Sequence, residues 1–243
     1  MGGGRLGTVI ARGLRAAGRI VEGPAGRGEV PNGDLLLLCV PDAEIPAAAA
    51  AVAGAAPLVG HTSGATPLSA LAPAAATGAE TFGLHPLQTV AAPDARLDGA
   101  GCAVAGSTSR AAQAARELAL ALGMRPFFLA EEDRAAYHAA ASIASNFLVT
   151  LESAAERVAT TAGLPADEAR GLLAPLVRST VENWAELGPE RALTGPVARG
   201  DRATVALQRA AVAEGAPELI PLWDVLVERT GELATRGRTG ATA

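Results

Sequence analysis

Residues 35–40 (LLLLCV) constrain this chain more than any other stretch. A strand with one solvated face alternates polar and apolar residues. An unbroken apolar run is accommodated where both faces are covered, as in a central strand of a parallel sheet flanked by helices. Around this run the first half of the chain alternates short apolar segments with alanine-rich helical ones, the pattern of a doubly wound α/β domain. A helix is predicted over 8–17 with Gly18 as its stop, and strands over 19–22, 57–61, 81–84, 102–105 and 125–129. From residue 131 the pattern is helical throughout, over 133–161, 165–187, 201–214 and 217–236. The expected organisation is an α/β domain over 1–130, an all-α domain over 131–236 and a frayed tail over 237–243.

Composition excludes several classes of function. An apolar fraction of 49% fills a real core, yet no apolar run approaches the ~20 residues that span a bilayer. No basic segment leads into an apolar one at the N-terminus, so the cytoplasm is the expected compartment. Cys39 and Cys102 each lie in an apolar run, which suits buried reduced thiols and no metal site. A net charge of −5 with 3% aromatic residues offers neither a basic groove nor stacking platforms for nucleic acid. Every basic residue is Arg, so no lysine serves as a general acid.

The chain opens MGGGRLGTV. Gly2, Gly4 and Gly7, with Arg5 and Leu6 between them, spell G-x-G-x-x-G, the loop that seats a dinucleotide pyrophosphate on a helix N-terminus. That loop ordinarily follows a buried strand, and here only Met1 precedes it. Either the match is accidental, or the first strand is lacking, or the start is placed late. The residue that meets the adenosine ribose lies about 20 positions past such a loop, and Arg27, between two glycines, stands there. Its guanidinium suits a 2′-phosphate and so NADP; Glu22 is a rival that would favour NAD. Val40 and Pro41 leave the sheet at its carboxyl edge and are cofactor-adjacent by backbone, whereas Asp42 reads as a cap.

Two histidines end predicted strands, His61 in GHTSGATP and His85 in GLHPLQT. With Ser63 they place hydrogen-bonding groups where a substrate would lie, although a structural histidine bonded to backbone explains each equally well. Gln88 and Thr89 extend the second loop's polar wall. His138, Ser142 and Asn146 are spaced i, i+4, i+8, a polar stripe on an otherwise apolar helix, and buried polar groups need partners. Thr194 and Arg199 lie in a turn-rich connector and hold a substrate carboxylate if it folds over the cleft; otherwise Arg199 is a surface charge. Asp201 reads as a helix cap.

The passages GGGRLGT, LLLLCVPDAEI, VGHTSGA, GLHPLQT, AYHAAASIASNFLVTLE and ERALTGPVARGD together resemble bacterial proteins with a Rossmann-like domain followed by the domain of unknown function 2520. The resemblance covers the whole chain. More remotely the chain is similar to the 6-phosphogluconate dehydrogenase superfamily, including ketopantoate and pyrroline-5-carboxylate reductases. The resemblance implies an NAD(P)H-dependent reductase with its active site between the two domains and a homodimer through the long helices; Arg27 favours NADP as cofactor, with NAD possible, and Arg199 a small carboxylate as substrate. Some members are understood to be alternative ketopantoate reductases of pantothenate synthesis, which makes ketopantoate the leading substrate. Ketopantoate-reductase relatives use a Lys and an Asn on the first helix past the Rossmann domain; Asn146 matches the Asn, and the Lys is absent. The resemblance therefore assigns proton donation to His138, with Ser142 and Asn146 orienting the carbonyl. Family members begin with an apolar strand before the glycine loop, so the loop is expected to be genuine, the start late and the sheet short of its first strand. Imine reduction is a second enzymatic reading, and a nucleotide-binding sensor or scaffold without turnover is a third.

Overall fold

The computed structural model describes residues 1–26 and 28–240, which divide into two compact units at the peptide between Asn146 and Phe147. The first unit is built on a five-stranded sheet whose order follows the sequence: β1 (Leu35–Leu38), β2 (Leu58–His61), β3 (Glu80–Leu87), β4 (Gly101–Gly106) and β5 (Arg125–Phe128). Among the described residues all strands precede residue 130, and every later element is helical.

The helices of this unit are α1 (Arg5–Ala16), α2 (Ile45–Ala51), α3 (Ala72–Ala75), α4 (Ser109–Ala121) and α5 (Arg134–Ser142). Successive residues of the apolar run serve opposite faces. Leu36 and Leu38 pack with Ile45, Ala49 and Val59 in one core, and Leu35 and Leu37 border a second core around Ile10, Phe82, Val104 and Ala115. The sheet is thus covered on both sides, by α2 and α3 on one face and α1 and α4 on the other, as a doubly wound α/β unit requires.

The sheet departs from the all-parallel expectation at one place. β1–β2, β2–β3 and β4–β5 are parallel pairs, but β4 runs antiparallel to β3. The cause is the connection: residues 88–100 form no helix, and without a crossover helix the chain returns beside the strand it left.

The strand expected over 19–22 does not form either. Met1 donates from its N-terminal nitrogen to the Leu37 carbonyl at 2.8 Å and accepts from the Cys39 N–H at 2.8 Å. One residue therefore occupies the ladder position beside β1. The rest of that edge faces a cavity of about 570 Å³ bordered by Ile10, Leu14, Leu35 and Leu37, with residues 19–22 on its other wall. That segment forms no ladder: its Arg19 N–H donates to the Leu14 carbonyl at 2.9 Å, its Val21 carbonyl accepts from Arg15 Nη2 at 3.1 Å, and Ile20 is 98% exposed.

The second unit is helical: α6 (Leu148–Thr161), α7 (Ala166–Leu187), α8 (Pro189–Ala192), α9 (Pro196–Arg199), α10 (Arg202–Gly215) and α11 (Ile220–Gly240). The last helix runs past the expected end at 236, and residues 241–243 of the expected tail lie outside the described residues. Arg170–Glu156 joins α7 to α6 and Arg209–Asp224 joins α10 to α11. Asp201 caps α10 as expected, accepting from the Thr204 N–H at 3.0 Å. Among the described residues no helix is long and apolar enough to cross a membrane.

Candidate functional site

The glycine loop is as tight as its motif requires. Gly2 has φ +100°, and a Cβ on it would stand 2.2 Å from the Cys39 carbonyl oxygen; one on Gly7 would stand 2.0 Å from the Gly2 carbonyl oxygen. Gly3 and Gly4, by contrast, face open space. Gly4 is the N-cap of α1 and supplies no side-chain acceptor, which leaves the first N–H groups of a twelve-residue helix turned toward that space. Unsatisfied donors at the positive end of a helix dipole form an anion site, so the loop fits a dinucleotide pyrophosphate. Leu6 packs against the core, and the Arg5 guanidinium donates to the Ala91 carbonyl at 3.0 Å. Val40 packs against the α2 face, and Pro41 precedes a short 3₁₀ turn, Asp42–Glu44. Glu22 is exposed, and Arg27 lies outside the described residues.

A second constellation gathers at the carboxyl ends of β2 and β3, beneath α5. His61 is fully buried. Its Nδ1 accepts from the Ser63 N–H at 3.2 Å, and among the described residues its Nε2 has no partner within hydrogen-bonding geometry. Burial, reinforced by the Arg134 guanidinium, holds its pKa down to about 4. His61 is thus placed to brace its loop and does not line an open surface. Ser63 is also committed to that loop: its hydroxyl donates to the Asp42 carboxylate at 2.7 Å and accepts from the Thr66 N–H at 2.9 Å.

The loop is strapped to the start of α5. Glu131 accepts from the Leu68 N–H at 2.8 Å and from Arg134 Nε at 2.7 Å, while Arg134 Nη1 reaches the Ser63 carbonyl at 3.4 Å. Arg134 is only 4% exposed, and its Nη2 lies where a Cβ on Gly83 would stand 2.7 Å away. A guanidinium this deep persists because its charge is paired.

His85 and His138 meet over Gly64. A Cβ there would lie 2.9 Å from His85 Nε2 and 2.9 Å from His138 Nδ1, so only glycine lets the two rings converge. The ring centroids are 6.0 Å apart, and His138 Nδ1 is buried with no hydrogen-bond partner among the described residues. Tyr137 Oη lies 2.8 Å from His85 Nδ1. Burial first, then the neighbouring His138 and Arg134, hold His85 at about 4.

Of the side chains singled out by sequence, His61, Ser63, His85 and His138 therefore come together within the first unit. The polar stripe does not continue as expected. The helix winds as a π-turn over Ile143–Phe147, so residues four apart cease to stack there; Ser142 is half-buried and Asn146 exposed. Gln88 bonds the Thr89 N–H and the Arg96 carbonyl of its own connection. Thr194 and Arg199 belong to the second unit, where both are exposed. Sequence reasoning passed over Tyr137, Arg134 and Glu131. The i, i+3 spacing of Glu131 and Arg134 was the available signal, and it is indistinguishable from a surface pair until burial is known.

The family model described as Domain of unknown function (DUF2520) matches residues 100–230, and that of a Rossmann-like domain matches residues 24–86. Among solved structures, a Bacteroides fragilis protein provisionally described as an NADP oxidoreductase is 22% identical with a TM-score of 0.78, covering 95% of this chain and 96% of its own. Protein TM1727 of Thermotoga maritima is 26% identical with a TM-score of 0.73, over 86% of this chain and 81% of its own. The Plasmodium falciparum pyrroline carboxylate reductase with NADP bound is 11% identical with a TM-score of 0.60, over 96% of both chains. No curated protein matches the sequence.

Proposed function

The chain belongs to the family of the Domain of unknown function (DUF2520), and on that premise we propose that it is an NADP-dependent oxidoreductase that reduces a small 2-keto acid, with ketopantoate the leading candidate. The observation that carries the reading is the glycine loop, tight at Gly2 and Gly7 and open over Gly3 and Gly4 at an uncapped helix N-terminus. Gly2, Gly4, Arg5, Leu6 and Gly7 would hold the pyrophosphate, with Val40 and Pro41 alongside and Arg27 on the 2′-phosphate. The bound dinucleotide supplies a hydride. This chain's own part is to orient the carbonyl and deliver a proton to its oxygen. With no lysine available, His138 gives that proton; Ser142, one turn on, and Asn146, displaced from that line by the π-turn, are the hydroxyl and amide assigned to orient the acceptor.

NADPH oxidation in the presence of ketopantoate is the direct test. Turnover is expected in the wild type and a loss of about 100-fold or more in kcat for His138→Ala, the range for removing a general acid. Normal turnover by that variant would sink the assignment of His138.

The same reading includes a homodimer through the second unit. Its helices leave Leu172, Leu176, Trp184, Leu207 and Val225 more than half exposed, while few of its apolar side chains are buried. Apolar area on this scale calls for a cover, and a second copy supplies an identical face. Sedimentation is expected to give twice the chain mass, and Leu172→Glu with Leu176→Glu to shift the species toward monomer. A monomeric wild type at micromolar concentration would rule the dimer out.

A further inference from the structure

His85 differs from the other two histidines in having a ring nitrogen fixed by a side chain from another element. The Tyr137 hydroxyl lies 2.8 Å from Nδ1. The phenol ring is held in turn, meeting His85 edge-on at 5.5 Å between centroids and Phe127 at 5.9 Å. Burial pushes Tyr137 up to about 12, so it keeps its proton, and His85 stays uncharged above about 4. A neutral imidazole has one donor nitrogen and one acceptor nitrogen. An O–H donated by the phenol to Nδ1 leaves the ring's own proton on Nε2, the nitrogen beside Gly64.

We propose that Tyr137 is a positioning residue that fixes His85 as its Nε2–H tautomer, and that the N–H so presented makes the site select a carbonyl oxygen over the nitrogen of a protonated imine. The selectivity rests on the reductase reading. As hydride reaches a carbonyl carbon, the C=O π pair moves to oxygen, and a fixed N–H donor stabilises the charge that develops there. A protonated imine carries its own N–H and a positive charge, so it meets the same donor head-on.

The surrounding charges act in the same direction. Arg134 raises the positive potential at His85, and Glu131 offsets part of it through their ion pair. Asp42 works the other way, but its carboxylate is already held by the Ser63 hydroxyl. His138 and His61 complete the ionisable groups around the ring.

Tyr137→Phe removes the hydroxyl and retains the ring that packs on Phe127 and His85. The chain has three histidines, so their ¹⁵N resonances are assignable by single replacements. In the wild type at pH 7.5 the His85 spectrum is expected to show a protonated Nε2 and an unprotonated Nδ1, and in Tyr137→Phe a mixture of tautomers. A protonated Nδ1 in the wild type, or an unchanged spectrum in the variant, overturns the role of Tyr137. In the kinetic arm, NADPH oxidation is compared with ketopantoate and with 1-pyrroline-5-carboxylate. The wild type is expected to prefer the keto acid, and Tyr137→Phe to lower the kcat/KM ratio about tenfold or more, the scale for losing one oriented donor. An imine preference, or a ratio unmoved while the tautomer is lost, overturns the selectivity. Turnover of neither substrate overturns the reductase reading and the selectivity with it, whereas the spectra decide the tautomer by themselves.

Discussion

Lowering the pH from 7.5 to 4 is expected to cost the folded chain about 3 kcal/mol for each of two histidines, His61 and His85. Both are held at about 4 in the fold against an ordinary value of 6.5, chiefly by burial, with the Arg134 charge adding to it. Between those values the unfolded chain binds protons that the folded chain refuses, so protonation draws the equilibrium toward unfolding. The stabilisation is fully present above pH 6.5, is lost progressively as the pH falls toward 4, and levels off below that. Carboxylates with lowered values, such as Asp98, Glu156 and Asp224, start from 3.8 or 4.5, so most of their contribution is lost below pH 4.5, beneath the range titrated. Denaturant titrations at steps between pH 7.5 and 4.5 measure the effect, with Tyr137 absorbance reporting the first unit and Trp184 and Trp223 the second. A Tyr137 midpoint that does not move across this window would show that the two rings are not held neutral by the fold.

The same burial separates what the sequence disclosed from what it hid. The run at 35–40 announced a covered strand because no alternation is needed where both faces are buried, and Leu36 and Leu37 do enter opposite cores. Residues 19–22 carried strand-like character too, but a strand is a relation between neighbours, and the ladder position beside β1 holds Met1 alone. The antiparallel turn into β4 depended on residues 88–100 failing to form a helix, which a short apolar run does not reveal. At the site, the three histidines were visible as residue types at strand ends and on a helix. Their roles were not, because the difference between His61, buried as a brace, and His85, aimed at Gly64, lies in partners remote in sequence: Tyr137 stands 52 residues from His85. The π-turn after Ser142 was equally silent, since one extra residue per turn leaves no mark on composition.

A methyl group added at Gly7 is expected to weaken NADPH binding by about 10- to 100-fold and to destabilise the first unit by about 1–3 kcal/mol, the usual cost of overpacking. Its Cβ would stand 2.0 Å from the Gly2 carbonyl oxygen and 3.3 Å from the Cys39 Cβ, so backbone has to move. The loop cannot yield on the other side, because Gly2 is itself pressed against the Cys39 carbonyl and bonded through its N–H to Ala25 at 2.9 Å. Displacing Gly2 turns the α1 N–H groups away from the place where phosphate oxygens would accept from them. Gly4→Ala separates packing from binding. Its backbone, at φ −69° and ψ 177°, suits alanine, and the added Cβ meets no protein atom. Thermal unfolding of Gly4→Ala should therefore match the wild type, while its NADPH affinity, measured by calorimetry, should fall because the methyl projects into the space reserved for the pyrophosphate. Wild-type affinity in both variants would mean that the dinucleotide does not sit on this loop. Weakened binding in Gly4→Ala at unchanged stability places the phosphates over the N-terminus of α1, since a methyl that touches no part of the protein lowers affinity only by meeting the ligand.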